Sequence, residues 1–187
     1  TEITEKMTEQ TISNDRIPVS VRPARESDKA GMLEVTKNIW DGDDYVPYVW
    51  DEWLADTEGV LCVAIGESGE HAGHMIGLGK LTHLGGGNWW MEGMRVQPEY
   101  QGRGISSQLH EYILNYWLEH GDGVVRLTTS SNRLPIHHLC ERFGFSKIGE
   151  RTFFVAPVIQ GIPAEALPLQ LLKSEELPEA LVFLQNS

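Results

Sequence analysis

The chain has 187 residues, 41% of them hydrophobic, enough for one buried core with some excess. It carries 15 Lys+Arg against 27 Asp+Glu, a formal charge of −12, which argues against non-specific nucleic-acid binding because that role needs a basic face. No apolar run is long enough to span a membrane and no charged-then-apolar segment leads into a small-residue cleavage site, so the expected location is the cytoplasm.

Residues 1–17 read as a polar tail without periodicity. Val19 to Arg22 alternates like a first strand, and Ser27-Asp28 caps a helix carrying Ala30, Met32, Leu33, Val35 and Ile39. Asp41 to Asp44, with Gly42, marks a loop, and a short helix follows Pro47. The aromatic residues from Trp40 to Trp53 fit either a lid or a second core helix.

Val60 to Gly66 is a continuous apolar strand, and Gly73 to His83 is its hairpin partner. Gly85 to Asn88 turns into a third strand of this antiparallel meander, Trp89 to Val96. A helix from about Gly104 places Ile105, Leu109, Tyr112, Ile113, Tyr116 and Trp117 on one side. Val124 to Thr129 reads as a strand, Pro135 to Arg142 as a helix ended by Gly144, and Phe145 to Ala156 as a further strand region. Past Pro157, Leu169 to Leu172 reads as a strand and Ser174-Glu175-Glu176 caps a last apolar helix. That order echoes Val19 to Val35 as a weak internal repeat.

Cys62 and Cys140 lie far apart, forming neither a disulfide scaffold nor a metal-binding spacing. No metal is expected, since His137 and His138 do not repeat a ligand spacing either.

The segment from Val96 to Leu109 is the most informative. A strand enters a loop with Gly102 and Gly104, and a helix begins at once, so backbone N–H groups converge at a helix N-terminus. A ligand carrying phosphates is the natural guest. A Rossmann loop would follow the first strand of a parallel unit, and a Walker loop would need Gly-Lys-Ser/Thr; neither applies.

Val96-x-Pro98-x-x-Gln101-Gly102-Arg103-Gly104-Ile105-Ser106 resembles the acetyl-coenzyme-A signature of the GNAT acetyltransferase superfamily, Gln/Arg-x-x-Gly-x-Gly/Ala. Ser106 departs from its last position. Asn132 followed by Leu139-Cys140-Glu141-Arg142-Phe143-Gly144-Phe145 resembles a second segment of that family, with Cys140 where many relatives have a tyrosine. Ile39 to Pro47 and Met91 to Val96 are similar to a subfamily that includes histidine N-acetyltransferase. The resemblance implies an α/β fold with a mixed, mostly antiparallel sheet flanked by helices. It covers residues 18–157 as one acetyltransferase domain, with 158–187 as a C-terminal extension or the start of a second such unit.

It implies acetyl-CoA as co-substrate and a small-molecule amine, such as a free amino acid, as acceptor. A polyamine, an aminoglycoside-like amine, a protein N-terminus or a non-catalytic coenzyme A sensor are the alternatives. On this reading the N–H groups from Gln101 to Ser106, including Gly102, Arg103, Gly104 and Ile105, hold the pyrophosphate. Met94, Arg95 and Val96 bind the pantetheine arm through backbone, and Asn132 reaches it from the neighbouring strand end. Glu92 is the candidate base, or a structural carboxylate tying down Arg95 or the Tyr45 loop. Alternation sets Trp90, Glu92, Met94 and Val96 on one face. Asp44 and Tyr45 are the candidate acceptor-binding residues, and Arg95 is a candidate anchor for an amino-acid carboxylate. The oligomeric state is left open, with a homodimer as one option.

Overall fold

Strands β1 (Val19–Pro23), β2 (Val60–Gly66), β3 (Met75–His83), β4 (Asn88–Val96) and β5 (Val124–Arg126) form one five-stranded sheet in the order β1-β2-β3-β4-β5. The structure is a computed structural model that describes residues 16–152 and 173–185. β1 to β4 pair antiparallel, whereas β5 runs parallel to β4 and meets it only along Asn88 to Trp90. The helices of this part are α1 (Lys29–Thr36), α2 (Val46–Ala55), α3 (Ile105–His120) and α4 (Leu134–Arg142). The mixed, mostly antiparallel sheet flanked by helices matches the expected fold class.

The sheet is covered on both faces because β2 is apolar on both. Val60, Cys62 and Ala64 pack with Leu81, Met91 and Val96 against Ile105, Leu109 and Ile113 of α3. Leu61 and Val63 point the other way, with Leu78, against Met32 and Val35 of α1 and Trp50 and Trp53 of α2. A strand buried on both sides reads as a continuous apolar run, which is how β2 was legible. Ile105, Leu109 and Ile113 recur at helical spacing and are all essentially inaccessible, each contributing about 2 kcal/mol relative to an exposed position.

β4 departs from simple alternation. Lys80 pairs with Glu92 and Leu78 with Arg95, so Gly93 and Met94 together stand opposite Gly79. Gly93 takes φ +61. This is a β-bulge, an extra residue that a glycine accommodates in the left-handed region. It corrects the expected facing of β4. Glu92 and Arg95 share the α1–α2 side, while Met94 and Val96 pack toward the α3 core.

Three further elements differ from the sequence reading. α1 ends at Thr36, whose Oγ1 bonds back to the Met32 carbonyl at 3.0 Å. Ile39 instead opens a 3-10 turn, Ile39–Gly42, in which Trp40 and Asp41 take φ +49 and +59. Asp28 caps backwards, accepting from the Arg25 N–H at 2.8 Å and from Arg22 Nη1 at 2.7 Å. Phe145 to Thr152 forms no strand: Phe145 packs on the α3-side core, whereas Ile148 is 83% exposed; the remainder of that expected strand, to Ala156, lies outside the described residues.

The chain divides into two compact units, the first ending at Ser146 and the second beginning at Lys147. In the second, a 3-10 turn, Ser174–Glu176, leads into α5 (Leu177–Gln185). The Lys173 N–H donates to Glu176 Oε2 at 2.8 Å, as Arg25 does to Asp28 before α1. The expected strand Leu169 to Leu172 lies outside the described residues.

Candidate active site

The glycine loop is built by the end of β4. Gln101 Nε2 donates to the Val96 carbonyl at 3.2 Å, and the Tyr100 N–H to Gln97 O at 3.0 Å, folding the chain back. Gly102 and Gly104 take φ +76 and +79, and α3 starts at Ile105. The first-turn N–H groups of α3, at Ile105, Ser106 and Ser107, have no carbonyl behind them within the helix. They point from the positive end of its dipole, which suits a pyrophosphate. Arg103 is exposed beside them. Arg16 and Ile17, read as tail, pack here instead. The Ile17 N–H donates to Arg103 O at 3.4 Å, Gln108 Nε2 donates to Ile17 O at 3.3 Å, and Ile17 is buried. Sequence offered no period to reveal this, because two residues cannot show one.

Beyond Trp90 the pairing of β4 with β5 stops, leaving Met91 to Val96 outside that parallel ladder. Met94, Arg95 and Val96 lie on this stretch. Asn132 sits past β5 in the exposed loop before α4, where Ser130 Oγ donates to its Oδ1 at 2.8 Å.

On the α1–α2 side of the bulge, Glu92 is half-buried, and Thr82 Oγ1 donates to its Oε1 at 2.7 Å. Thr82 was missed by the sequence reading; its signal was the β3 alternation, which sets Lys80 and Thr82 on one face. Arg95 donates from Nε and Nη2 to the two oxygens of Asp44 at 2.8 and 2.9 Å, and from Nη1 to the Met94 carbonyl at 3.1 Å. Asp44 is 2% exposed. It was expected to touch the acceptor, and both its oxygens are engaged by Arg95 instead. The same pairing occupies the guanidinium that was the candidate carboxylate anchor. Glu92 is therefore not what ties Arg95 down.

Tyr45 stacks near Trp40, with centroids 6.1 Å apart and planes at 22°, and meets the edge of Trp53. The Arg95 guanidinium lies 4.6 Å from the Trp40 centroid and 5.3 Å from that of Tyr45. Burial pushes the Tyr45 phenol above its usual value, the Arg95 charge opposes this, and the charges of Glu92 and Asp44 add to it. Glu92, Asp44, Tyr45 and Arg95 therefore form one electrostatic neighbourhood. Trp40 and Tyr45 remain half open to solvent, so the aromatic segment is both things the sequence allowed: Trp50 and Trp53 are core, and Trp40 and Tyr45 line the outer surface.

Burial raises the Cys140 thiol, so it stays protonated near neutral pH. Cys62 is pushed up to about 12 by burial and is inert core. His137 Nε2 lies 3.0 Å from Ser130 O, a loop contact. Among the described residues no group of three or more His, Cys, Asp and Glu could hold a metal ion, and no helix is long and apolar enough to cross a membrane.

The family model described as acetyltransferase (GNAT) matches residues 30–145. No curated protein matches the sequence. Among solved structures, a transcriptional regulator from Bacillus halodurans C-125 is similar at 26% identity and TM-score 0.60, over 74% of this chain and 100% of its own. The aminoglycoside 6'-N-acetyltransferase AAC(6')-Ih from Acinetobacter baumannii is similar at 15% identity and TM-score 0.58, over 75% of this chain and 99% of its own. AAC(6')-Iy, in complex with a bisubstrate analog of coenzyme A and acetylneamine, is similar at 17% identity and TM-score 0.59, over 75% and 99%. With the glycine loop at the start of α3 and the bulge in β4, these findings define the class: an acyltransferase that uses a coenzyme A thioester. The chain belongs to the GNAT acetyltransferase family. Membership in that family makes acetyl-CoA its donor and N-acetylation its reaction.

Proposed function

We propose that the chain moves acetyl from acetyl-CoA to the primary amine of a small molecule, with Glu92 as base. The observation that supports this most is the position of Glu92. It stands immediately before the β4 bulge, hydrogen-bonded to Thr82 and on the same side as Tyr45, Asp44 and Arg95. A carboxylate there suits an incoming ammonium, first as its ion partner and then as acceptor of its proton.

On this reading the N–H groups of the Gln101 to Ser106 loop hold the pyrophosphate, Met94 to Val96 and Asn132 hold the arm, and the thioester carbonyl reaches the bulge. Glu92 takes a proton from the amine. The nitrogen bonds to the thioester carbon and gives its second proton to water, the C–S bond breaks, and coenzyme A leaves as the thiol with a proton from water.

The finer reading of the acceptor is a free amino acid such as histidine, supported by the resemblance at Ile39 to Pro47 and Met91 to Val96. Because Arg95 is engaged by Asp44 and Met94 O, its carboxylate would need another cation. An aminoglycoside-like amine is the second reading, supported by the aminoglycoside acetyltransferases among the similar structures. Thiol release from acetyl-CoA with histidine, other amino acids, polyamines and aminoglycosides separates these. Glu92→Gln is expected to lower turnover by about 100- to 10,000-fold while coenzyme A still binds. Unchanged turnover would remove Glu92 from the mechanism.

A further inference from the structure

We propose that Arg95 is a positioning residue: its guanidinium couples the acceptor-side loop, residues 39–45, to the β4 bulge, so that donor binding at the bulge orders the loop. The inference rests on the acetyl-transfer reading and adds to it a mechanical link between the two substrates' sites.

Arg95 reaches both partners with one rigid group. Nε and Nη2 hold Asp44, at the end of the loop, and Nη1 holds the carbonyl of Met94, inside the bulge. Asp44 Oδ1 also accepts the Val46 N–H at 3.2 Å, which fixes the start of α2. The flat faces of the guanidinium serve the same loop, lying against Trp40 and Tyr45. Trp40 and Asp41 occupy the left-handed region, uncommon for side chains other than glycine. A strained pair persists only where its surroundings over-determine it, and such pairs concentrate at binding and switching segments. Trp40 is held in that state by the Arg95 face, by Tyr45 and by the Asp43 N–H, which donates to its carbonyl at 3.1 Å.

A purely structural clamp would bury its aromatic rings. Here Trp40 is 50% and Tyr45 39% exposed, while the Asp44 beneath them is sealed. The loop therefore has a fixed root and an open outer surface, as a segment that responds to a ligand requires. Lysine cannot replace this arginine, since a point charge has neither the planar fork nor the stacking faces.

The test is amide hydrogen exchange of the whole chain, with and without coenzyme A, in the wild type, Arg95→Lys and Trp40→Ala. Trp40→Ala alters an exposed ring and leaves the buried pair intact, so it guards against a simple folding defect. Coenzyme A is expected to slow exchange across residues 39–45 by about fivefold or more in the wild type. Both variants are expected to bind coenzyme A and to lose that protection. With an amine that supports turnover, they are expected to lose kcat while the KM for acetyl-CoA holds. Protection retained in both variants, or absent from a wild type that binds coenzyme A, would overturn the coupling. A wild type that fails to bind coenzyme A would overturn the acetyl-transfer reading itself, and the coupling with it.

Discussion

Gly93 and Trp53 fit together only because Gly93 has no side chain: a Cβ there would lie 2.4 Å from Trp53 Cη2 and 2.6 Å from Cζ3. Trp53 is 8% exposed and belongs to the α1–α2 core. The bulge is thus braced from the helix side. Gly93→Ala combines left-handed backbone strain with overpacking, and is expected to cost about 2–5 kcal/mol. Denaturant unfolding checks this, and near-wild-type stability would show that Trp53 yields freely.

The two loop glycines should respond differently. Both have positive φ, yet a Cβ on Gly102 meets open space whereas one on Gly104 lies 3.0 Å from Arg16 Nε. Each alanine substitution carries about 1–2 kcal/mol of backbone strain. Gly104→Ala also disturbs the Arg16–Ile17 segment and crowds the phosphate cradle. Calorimetry with coenzyme A should show a larger affinity loss for Gly104→Ala than for Gly102→Ala, by about tenfold or more. Equal losses would place the phosphates away from Gly104.

Lys80 is fully buried, with its ammonium donating to Asp56 and to Leu81 O at 2.9 Å. Burial opposes ionisation of Asp56, but the Lys80 hydrogen bond and the Glu58 and Gly59 N–H groups hold its carboxyl below the usual range. Asp56→Ala strands the sealed Lys80 charge and is expected to cost about 3 kcal/mol, whereas Lys80→Met leaves Asp56 with 24% of its side chain exposed to water and should cost less. Unfolding of the two variants side by side tests the asymmetry. The reverse order would show that water reaches Lys80.

His110 gives the fold an acid limb. It is buried on α3, with Nδ1 donating to Ser106 O at 3.1 Å, and Phe143 stacks on it. Among the described residues its Nε2 has no hydrogen-bond partner. Burial holds its pKa below the usual 6.5. Above that value both folded and unfolded chains carry neutral imidazole, and stability is full. As the pH falls, the unfolded chain takes up a proton first and stability is lost through the folded pKa. His110→Gln is expected to flatten the decline in melting temperature between about pH 7 and about pH 5. An unchanged slope would assign that limb to groups other than His110.

The sequence disclosed most of this fold because its elements are locally marked. Val60 to Gly66 is an unbroken apolar run, and α3 carries Ile105, Leu109 and Ile113 in one stripe. Both signals survive without knowledge of the partner. The glycine loop was legible for the same reason, since its shape is set by local turns at Gly102 and Gly104; that its backbone N–H groups take the phosphates is part of the proposal. The acceptor side was harder to read. Asp44 and Arg95 are 51 residues apart, and no local pattern shows that they saturate each other. Gly93 did leave a signal, a lone glycine inside a strand, which favours a bulge. Read as ordinary alternation, it set Glu92 on the wrong face relative to Met94. The strand expected from Phe145 had the right composition, yet Ile148 beyond it lies exposed.

The sheet lists its strands in the order in which the chain supplies them. During synthesis β2, β3 and β4 can close as successive hairpins, each on an edge already present, with little loop entropy to overcome. β2 meets β1 only after α1 and α2 have been made, and the parallel junction must wait as well, because β5 cannot reach β4 until α3 has formed and crossed over. That junction is three residue pairs long. It is expected to be the last seam to close and the first to open, and it adjoins the stretch of β4 where the donor is to be held.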